Sequence, residues 1–198
     1  MSAPDPDPRS PGPLAEGDRT FVRAYRTEDA DEFVSLVRAS EDLHRPWLFP
    51  PRTARMYAEY AGRLLGDPGR AGYLVCARDD GRIAGFVNIN NIVRGAFLSG
   101  AIGYGAFAHA AGRGLMSEGL GLVMRHAFGP LGLHRLEANV QPANTASIAL
   151  VRRAGFRREG YSPDFLFIDG AWRDHERWAV TAEMLNPAAP ERAPESGG

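Results

Sequence analysis

The loop that ends in Gly112, Arg113 and Gly114 is the part of the sequence that most directly suggests chemistry. It joins a predicted strand at 98–107 to a predicted helix at 115–128. Glycines allow the backbone to approach a phosphate closely and to adopt positive φ. The unpaired N–H groups and the macrodipole at a helix N-terminus attract anions. The pattern predicts a binding site for a pyrophosphate group, although an ordinary tight turn between a strand and a helix would use the same residues.

Other familiar signatures find little support. Residues 103–108, Gly-Tyr-Gly-Ala-Phe-Ala, match the G-x-G-x-x-A dinucleotide fingerprint, but these glycines fall within a strand and no acidic strand end follows about 20 residues later. The histidines show no metal-ligand spacing, and the sequence contains no G-x-S-x-G motif of serine hydrolases. His175, which follows Asp174 in an alternating strand, is predicted to take part in surface or hairpin packing. We therefore expect no metal centre and no Rossmann-type site.

Composition and charge exclude several classes of function. The chain has 198 residues, of which 23 are basic and 24 acidic, and the net charge of −1 indicates no general attraction to nucleic acid. Its single cysteine, Cys76, excludes an internal disulfide framework and fits a reducing cytoplasm. No apolar run approaches the length that spans a membrane. We therefore expect a cytoplasmic protein that binds neither nucleic acid nor a membrane.

The two ends of the chain differ from its middle. Residues 1–18 and 186–198 are rich in proline and lack the hydrophobic core of a signal peptide, so both are predicted to be disordered tails. One folded domain is predicted between them, over residues 19–185. Its helices and strands follow the order βααβββαβαββ, which predicts an α/β or α+β fold with a mixed sheet.

Periodicity and turn signals place these elements. Strands are predicted at 21–25, 73–77, 83–93, 98–107, 135–141, 165–168 and 171–180. Helices are predicted at 27–39, 53–65, 115–128 and 145–154. The segment 40–52 contains prolines that forbid a long regular element, and its apolar side chains suit either a lid over the core or a pocket wall.

Seven motifs spread over about residues 20–182 carry a family resemblance. They are RPW (45–47), NNIVRGAF (90–97), AIGYGAF (101–107), GRGLMSEGL (112–120), HRLEANVQPAN (134–144), ALVRRAGFRREGY (149–161) and FIDGAWRDH (167–175). Together they resemble the GCN5-related N-acetyltransferase (GNAT) superfamily, and within it the ribosomal-protein-alanine N-acetyltransferases of the RimJ/RimL type, RimJ most of all. The resemblance implies a mixed, mostly antiparallel sheet of about seven strands, splayed between strands 4 and 5 and flanked by helices.

The resemblance also implies acetyl-CoA as the donor, with its pantetheine in the gap between the splayed strands, and no metal. The residues that it assigns to the cofactor are Gly105, Ala106, Gly112, Arg113, Gly114, Leu115, Met116, Ser117 and Asn144. Residues 112–117 would contribute backbone donors to the diphosphate, even though Ala111 stands where the family usually has Gln or Arg. Gly105 and Ala106 match a strand end whose amides hold the pantetheine and polarise the thioester carbonyl, a role typically worth several kcal/mol in acyl transfer.

Two implied catalytic positions depart from the simpler N-terminal acetyltransferases of the superfamily. Asn139 occupies the strand position that often carries a glutamate base, and an amide can orient a water or the amine but cannot accept a proton. Glu137, two residues earlier on the same face, is either a water-mediated substitute or a solvated edge charge. Val151 replaces the usual tyrosine acid, so Ser147, one turn earlier, is the remaining hydroxyl able to protonate the leaving thiolate.

On the acceptor side, Arg45, Trp47 and Leu48 are predicted to form a wall, or else simply to close the core. Tyr161 is predicted to line the cleft, or to pack behind a helix. An α-amine has a pKa of about 7.7–8.0, against roughly 10.4 for lysine, so much of it is neutral near pH 8 and needs mainly positioning. This favours a protein N-terminus as acceptor, that of a ribosomal protein if the likeness to RimJ extends to the substrate.

Two alternative functions stay open at this point. In the first, the acceptor is a small-molecule amine, such as an amino sugar, a polyamine or an antibiotic. The second is an acyl-CoA-binding module without turnover, which the replacements at Asn139 and Val151 motivate. The sequence does not distinguish a monomer from a homodimer.

Overall fold

The computed structural model describes residues 12–185, and within them one sheet of eight strands forms the centre of the fold. The strands are β1 (Ala15–Glu16), β2 (Thr20–Arg23), β3 (Ala71–Ala77), β4 (Ile83–Val93), β5 (Ser99–Ala106), β6 (Arg135–Val140), β7 (Arg157–Ile168) and β8 (Ala171–Thr181). The α-helices are α1 (Ala30–Ala39), α2 (Glu41–His44), α3 (Ala54–Gly66), α4 (Leu115–Phe128), α5 (Thr145–Arg153) and α6 (Ala182–Leu185). The strand order is β1-β2-β3-β4-β5-β6-β8-β7, and only the β5–β6 pair is parallel.

The sheet carries one strand more than the sequence predicts. Ala15 and Glu16 pair with Val22 and Phe21 of β2, although they lie inside the predicted tail at 1–18. The backbone N–H of Leu14 also donates to the Val22 carbonyl, at 2.8 Å. This short edge strand has no hydrophobic periodicity to reveal it, because its contribution is almost entirely backbone pairing. Residues 1–11 and 186–198 of the predicted tails lie outside the described residues.

The sheet separates two apolar layers, and the buried strand β3 contributes side chains to both. Its side chains alternate between the faces, as in any strand. Val75 packs with the layer beneath α4 and α5, whereas Leu74 and Cys76 pack with the layer beneath α1 and α3. Gly119 lets α4 lie close to the sheet, since a Cβ there would be 2.4 Å from Val75 Cγ1. Both faces are therefore covered, and the sheet holds α4 tightly.

The parallel pairing of β5 with β6 is short. It runs from Ser99 and Arg135 to Ile102 and Ala138, after which the two strands part. A parallel pair needs a crossover connection, and here the loop at 107–114 and the whole of α4 supply it. The divergence lies between the fourth and fifth predicted strands, so the predicted splay of the sheet is confirmed.

Candidate active site

A cleft with a volume of about 390 Å³ opens where β5 and β6 part. Its walls come from β4, β5, β6, the start of α5, the β7–β8 hairpin, and Trp47 with Leu48. Within the described part of the chain, amides, hydroxyls, aromatic rings and aliphatic groups line it, with one histidine and no carboxylate, lysine or arginine. The described lining therefore carries no permanent charge, and its one histidine and one tyrosine are the side chains in it that can titrate.

The end of β5 presents backbone groups to this opening. Phe107 N–H donates to the Ala84 carbonyl at 2.9 Å, so residue 107 faces β4 and Ala106 faces the other way. The carbonyl of Ala106 accepts a hydrogen bond from His44 Nε2 at 2.7 Å, which fixes this strand end to α2. By the same alternation, the N–H groups of Tyr104 and Ala106 point away from β4, toward the side on which β6 diverges.

Gly105 differs from its predicted role. Its amide faces Phe86 of β4, with which it is paired, and so is turned away from the cleft. Glycine is required at this position because there is no room for a side chain: a Cβ would lie 2.7 Å from Phe86 Cζ and 3.5 Å from Leu48 Cδ1. Of the two predicted strand-end residues, only Ala106 presents its amide as the resemblance implies.

Two hydroxyl groups meet at the cleft wall. The Tyr104 and Ser147 hydroxyl oxygens are 2.5 Å apart, and Asn144 Oδ1 accepts the backbone N–H of Ser147 at 3.1 Å, which caps α5. Burial raises the pKa of Tyr104 to about 12, so this phenol keeps its proton at neutral pH. The sequence analysis placed Ser147 here but missed Tyr104. The only signal for it was a lone tyrosine between two glycines in a strand.

The two candidate base positions have different surroundings. Asn139 lies in the cleft wall, and its buried Oδ1 has no hydrogen-bond partner within the described residues. Glu137 lies outside the cleft lining, and its carboxylate accepts hydrogen bonds from Arg135 Nε at 2.9 Å and Arg177 Nη2 at 3.0 Å. Of the two predicted alternatives for Glu137, these ion pairs fit an edge charge better than a substitute base.

The loop before α4 has the backbone shape that the sequence predicts. Gly112 and Gly114 have φ of +73° and +79°, values that residues with a side chain rarely adopt. Within residues 12–185, the amides of Gly112, Gly114, Leu115 and Met116 donate to no backbone or side-chain acceptor. Such a set of free donors at the start of a fourteen-residue helix suits an anionic group.

Side chains around this loop contribute positive charge. A second cavity, of about 320 Å³, is lined by Arg19, Arg78 and Arg113, with Asp18, Asp79 and Leu115. The ion pair between Arg113 and Asp79 is long, at 3.9 Å, and the two side chains are 49% and 69% exposed. An incoming phosphate can therefore compete for Arg113 at small cost. The residues present fit the diphosphate end of a coenzyme A molecule.

Three further residues of this predicted set have narrower roles than their position suggests. The side chains of Leu115 and Met116 are 3% and 7% exposed and pack in the core, so only their backbone can reach a ligand. The N–H of Ser117 already donates to the Gly114 carbonyl at 3.1 Å. Its hydroxyl is the group that remains for a ligand.

The predicted acceptor wall is only partly assembled. Trp47 and Leu48 line the cleft, and Leu48 also packs against the core beneath α1 and α3. Arg45 lies outside it, with its guanidinium 4.6 Å from the Phe49 ring centre and paired with Glu41. Tyr161 is exposed on β7, where its hydroxyl donates to the Asp174 carboxylate. Arg45 and Tyr161 therefore lie outside the lining of this cleft, and their contact with the acceptor stays a prediction.

The cleft also contains residues that the sequence analysis did not assign to it. Asn90 and Asn91 come from β4, and Phe165 and His175 come from the β7–β8 hairpin. His175 is 2% exposed, and its Nδ1 lies 2.8 Å from the Arg173 carbonyl oxygen. Burial lowers the pKa of His175. Of its two predicted places, hairpin packing is the one that its contact with Phe165 supports, and it also borders the cleft.

Comparison with known proteins identifies the family. A model described as an acetyltransferase (GNAT) domain matches residues 19–157. The chain belongs to the GNAT family. Like other GNAT proteins, it is an acetyl-CoA-dependent N-acetyltransferase, and the resemblance seen in its motifs is confirmed. No helix within residues 12–185 is long and apolar enough to cross a membrane, and these residues contain no group of three or more potential metal ligands.

Individual relatives agree with this assignment. The GNAT domain is 32% identical to the probable N-acetyltransferase YjcK of Bacillus subtilis, over 88% of this chain and 98% of that protein. It is 33% identical to the ribosomal protein uS5-alanine N-acetyltransferase of Escherichia coli, over 86% and 91% of the two chains. The structure of Mycobacterium smegmatis RimJ in complex with a CoA-disulfide matches with a TM-score of 0.78 and 30% identity, over 84% of each chain.

Proposed function

We propose that this GNAT enzyme acetylates the N-terminal α-amine of a protein, a ribosomal protein in the first instance. The observation that carries the proposal is the neutral cleft between β5 and β6, which has a pair of hydroxyl groups in its wall and no carboxylate in its lining. The named activity of the Escherichia coli relative toward uS5 supports the same acceptor class.

The donor end of the site would bind the diphosphate through backbone groups. The free amides of Gly112, Gly114, Leu115 and Met116 and the dipole of α4 favour negative charge, and Arg113 with its neighbouring arginines adds long-range attraction. When bound, acetyl-CoA supplies the acetyl group as an activated thioester. Asn144 shapes the start of α5 and so keeps Ser147 in place beside the opening.

The reacting groups would be held by β5, β6 and α5. The N–H groups of Tyr104 and Ala106 point to the side on which a carbonyl oxygen would gain charge, so they suit an oxyanion hole. The Ser147 hydroxyl is placed to give its proton to the departing sulfur, and the Tyr104 hydroxyl, at 2.5 Å, can return one to it. Asn139 lies in the cleft wall, where its side chain would help to position the amine.

The lining of the cleft bears on the acceptor. A polyamine carries several positive charges, and its recognition requires carboxylates that the described cleft lining does not contain. Asn90, Asn91 and Asn139 instead offer amide groups that can hydrogen bond to a peptide backbone. The cleft therefore suits an uncharged chain end better than a multiply charged amine.

The test is a comparison of acceptors. The enzyme is incubated with acetyl-CoA and either a peptide copied from the N-terminus of uS5, the same peptide with a blocked α-amine and a free lysine, or a panel of free amines containing spermidine, glucosamine and an aminoglycoside. Thiol release and the mass of each product are measured. We expect one acetyl group on the free α-amine and none on the blocked peptide. Turnover confined to the small amines would overturn the proposal.

A further inference from the structure

His175 is a buried imidazole in the cleft wall to which the proposed function gives no role. It lies on β8, and its ring packs edge-on against Phe165, with 5.8 Å between the ring centres. Because the side chain is only 2% exposed and borders the cleft, it has one direction in which to meet a ligand.

The hydrogen bond of His175 determines which ring nitrogen carries the proton. Nδ1 lies 2.8 Å from the Arg173 carbonyl oxygen, which can only accept, so Nδ1 donates. In the neutral ring Nε2 then carries the lone pair. Nothing in the described chain hydrogen bonds to Nε2, and this atom is not fully buried. Nε2 is therefore not sealed, and the cleft is the opening that this side chain borders.

The strand register places His175 near Asn139. Asn139 is opposite Arg177 across the β6–β8 pair, so His175 is its diagonal neighbour on the same face of the sheet. Diagonal neighbours of this kind are about 7–8 Å apart. Because both residues line the cleft, an amine that lies against Asn139 would also lie close to His175. The carboxylate closest along β6, that of Glu137, already accepts from two arginines.

The surroundings of His175 favour the neutral ring at pH 7. Burial is the largest influence and lowers its pKa; Arg177 lowers it further, whereas Asp174 and the hydrogen bond to Arg173 raise it. Among the other cleft-lining residues, Tyr104 is the one that titrates, and it keeps its proton at neutral pH. No other charged side chain lines the cleft within the described residues, so the imidazole is the only group there that can accept a proton near pH 7.

We infer that His175 is the general base that removes a proton from the acceptor amine, through Nε2. The inference rests on the proposed function. As the nitrogen lone pair forms the C–N bond, the C–S bond breaks and its electron pair leaves with sulfur. The proton lost by nitrogen goes to Nε2, and sulfur takes the hydroxyl proton of Ser147. Release of the proton from the imidazolium to water, and recovery of one by Ser147, return the enzyme to its starting state.

The first experiment uses H175N, because the asparagine amide can still donate to the Arg173 carbonyl but has no basic nitrogen. With the uS5 peptide we expect kcat to fall about 100-fold, while the dissociation constant for coenzyme A and the melting temperature stay close to wild type. The matched control is H126N. His126 also has a pKa lowered by burial, but it lies on α4, packs against Tyr73 and does not line the cleft. Wild-type kcat in H175N would overturn the inference.

Two further measurements separate a base from a structural residue. Added imidazole should restore at least a tenth of the lost kcat to H175A and none to S147A, since only the first lacks a base. In wild-type enzyme, nitrogen NMR should show His175 neutral at pH 7 with its proton on Nδ1; this readout needs neither turnover nor a variant. Failure of rescue, or a proton on Nε2, would overturn the inference.

The two proposals fail in different ways. If the wild-type enzyme acetylates no amine at all, the proposed function is wrong and the assignment of a base to His175 is wrong with it. If the wild-type enzyme acetylates the uS5 peptide but H175N does so equally well, only the assignment of His175 is wrong.

Discussion

The two ends of the site are built in opposite ways. The donor end is one continuous segment, 112–117, whose backbone amides and neighbouring arginines suit an anion. The acceptor end gathers side chains from β4, β6, the β7–β8 hairpin and Trp47, and is neutral. A charged, chemically constant ligand can be held by backbone and long-range charge, whereas a variable acceptor has to be recognised by side chains.

This difference predicts where each end is sensitive to mutation. At the proposed donor end, the loop depends on the positive φ of Gly112 and Gly114, so its backbone should tolerate change less well than its side chains. At the acceptor end, the backbone is ordinary β-sheet, and the identity of each side chain decides what is bound. The variants below test that contrast.

The largest expected effect is at the point where the two ends meet. Ser147→Ala removes the hydroxyl that is placed to protonate the sulfur, so kcat should fall about 100-fold without a change in affinity for coenzyme A. The matched control is Thr145→Ala, which removes an exposed hydroxyl from the first turn of the same helix. Steady-state kinetics and calorimetry measure both quantities. Equal losses in the two variants would show that the effect comes from α5 itself.

At the donor end, Gly114→Val forces a β-branched residue to φ of +79° and should disturb the free amides that follow. We expect affinity for coenzyme A to fall about 30-fold, which is within the cost of such backbone strain. Gly170→Val places the same residue at φ of +76° in the β7–β8 turn. Calorimetric titration should show normal affinity there. Normal affinity in Gly114→Val would contradict backbone recognition of the donor.

At the acceptor end, Trp47→Ala removes an aromatic wall and should raise the KM for the peptide about 10-fold. Affinity for coenzyme A should not change, because the donor loop is a separate segment. Trp172→Ala is the control, since Trp172 is 60% exposed and packs edge-on against Phe167 outside the cleft. A loss of affinity for coenzyme A, with peptide KM unchanged, would place Trp47 at the wrong end of the site.

The smallest effect is expected from a single charge at the donor end. Arg113→Ala should weaken coenzyme A binding about 3-fold at low ionic strength, because the side chain is half exposed. The difference should vanish as salt is raised toward about 1 M. Arg55→Ala, on the exposed surface of α3, controls for the loss of one positive charge. A salt-independent loss would mean that Arg113 supports the loop rather than attracting the ligand.

Much of the fold could be predicted from the sequence because its signals are local. Strand β4 and helix α4 begin and end where predicted, since a turn at Asp79–Gly81 and a stop at Gly129–Pro130 mark their limits. Strand β7 is eight residues longer at its start than predicted, beginning at Arg157 rather than Phe165. It is a sheet edge with irregular register and Pro163 within it, so its polar, exposed residues show no alternation.

The site divides along the same line. The predicted diphosphate loop is contiguous, so its residues could be proposed together from the sequence. The acceptor side depends on register, and a shift of one residue sends a side chain to the other face. Tyr161, in the irregular β7–β8 pairing, is exposed, whereas the β6–β8 register places His175 on the same face as Asn139, in the cleft wall. No local pattern in the sequence contains that information.

The hydrogen bond from His44 to the Ala106 carbonyl makes the stability of the enzyme depend on pH. His44 Nδ1 is sealed without a partner, and burial keeps the pKa of this ring below its ordinary 6.5. Below pH 6.5 the unfolded chain takes up a proton that the folded chain resists, so acidification lowers the free energy of unfolding. We therefore expect the enzyme to lose stability in acid. Because this hydrogen bond holds the end of β5 against α2, its loss should reduce activity at the same pH.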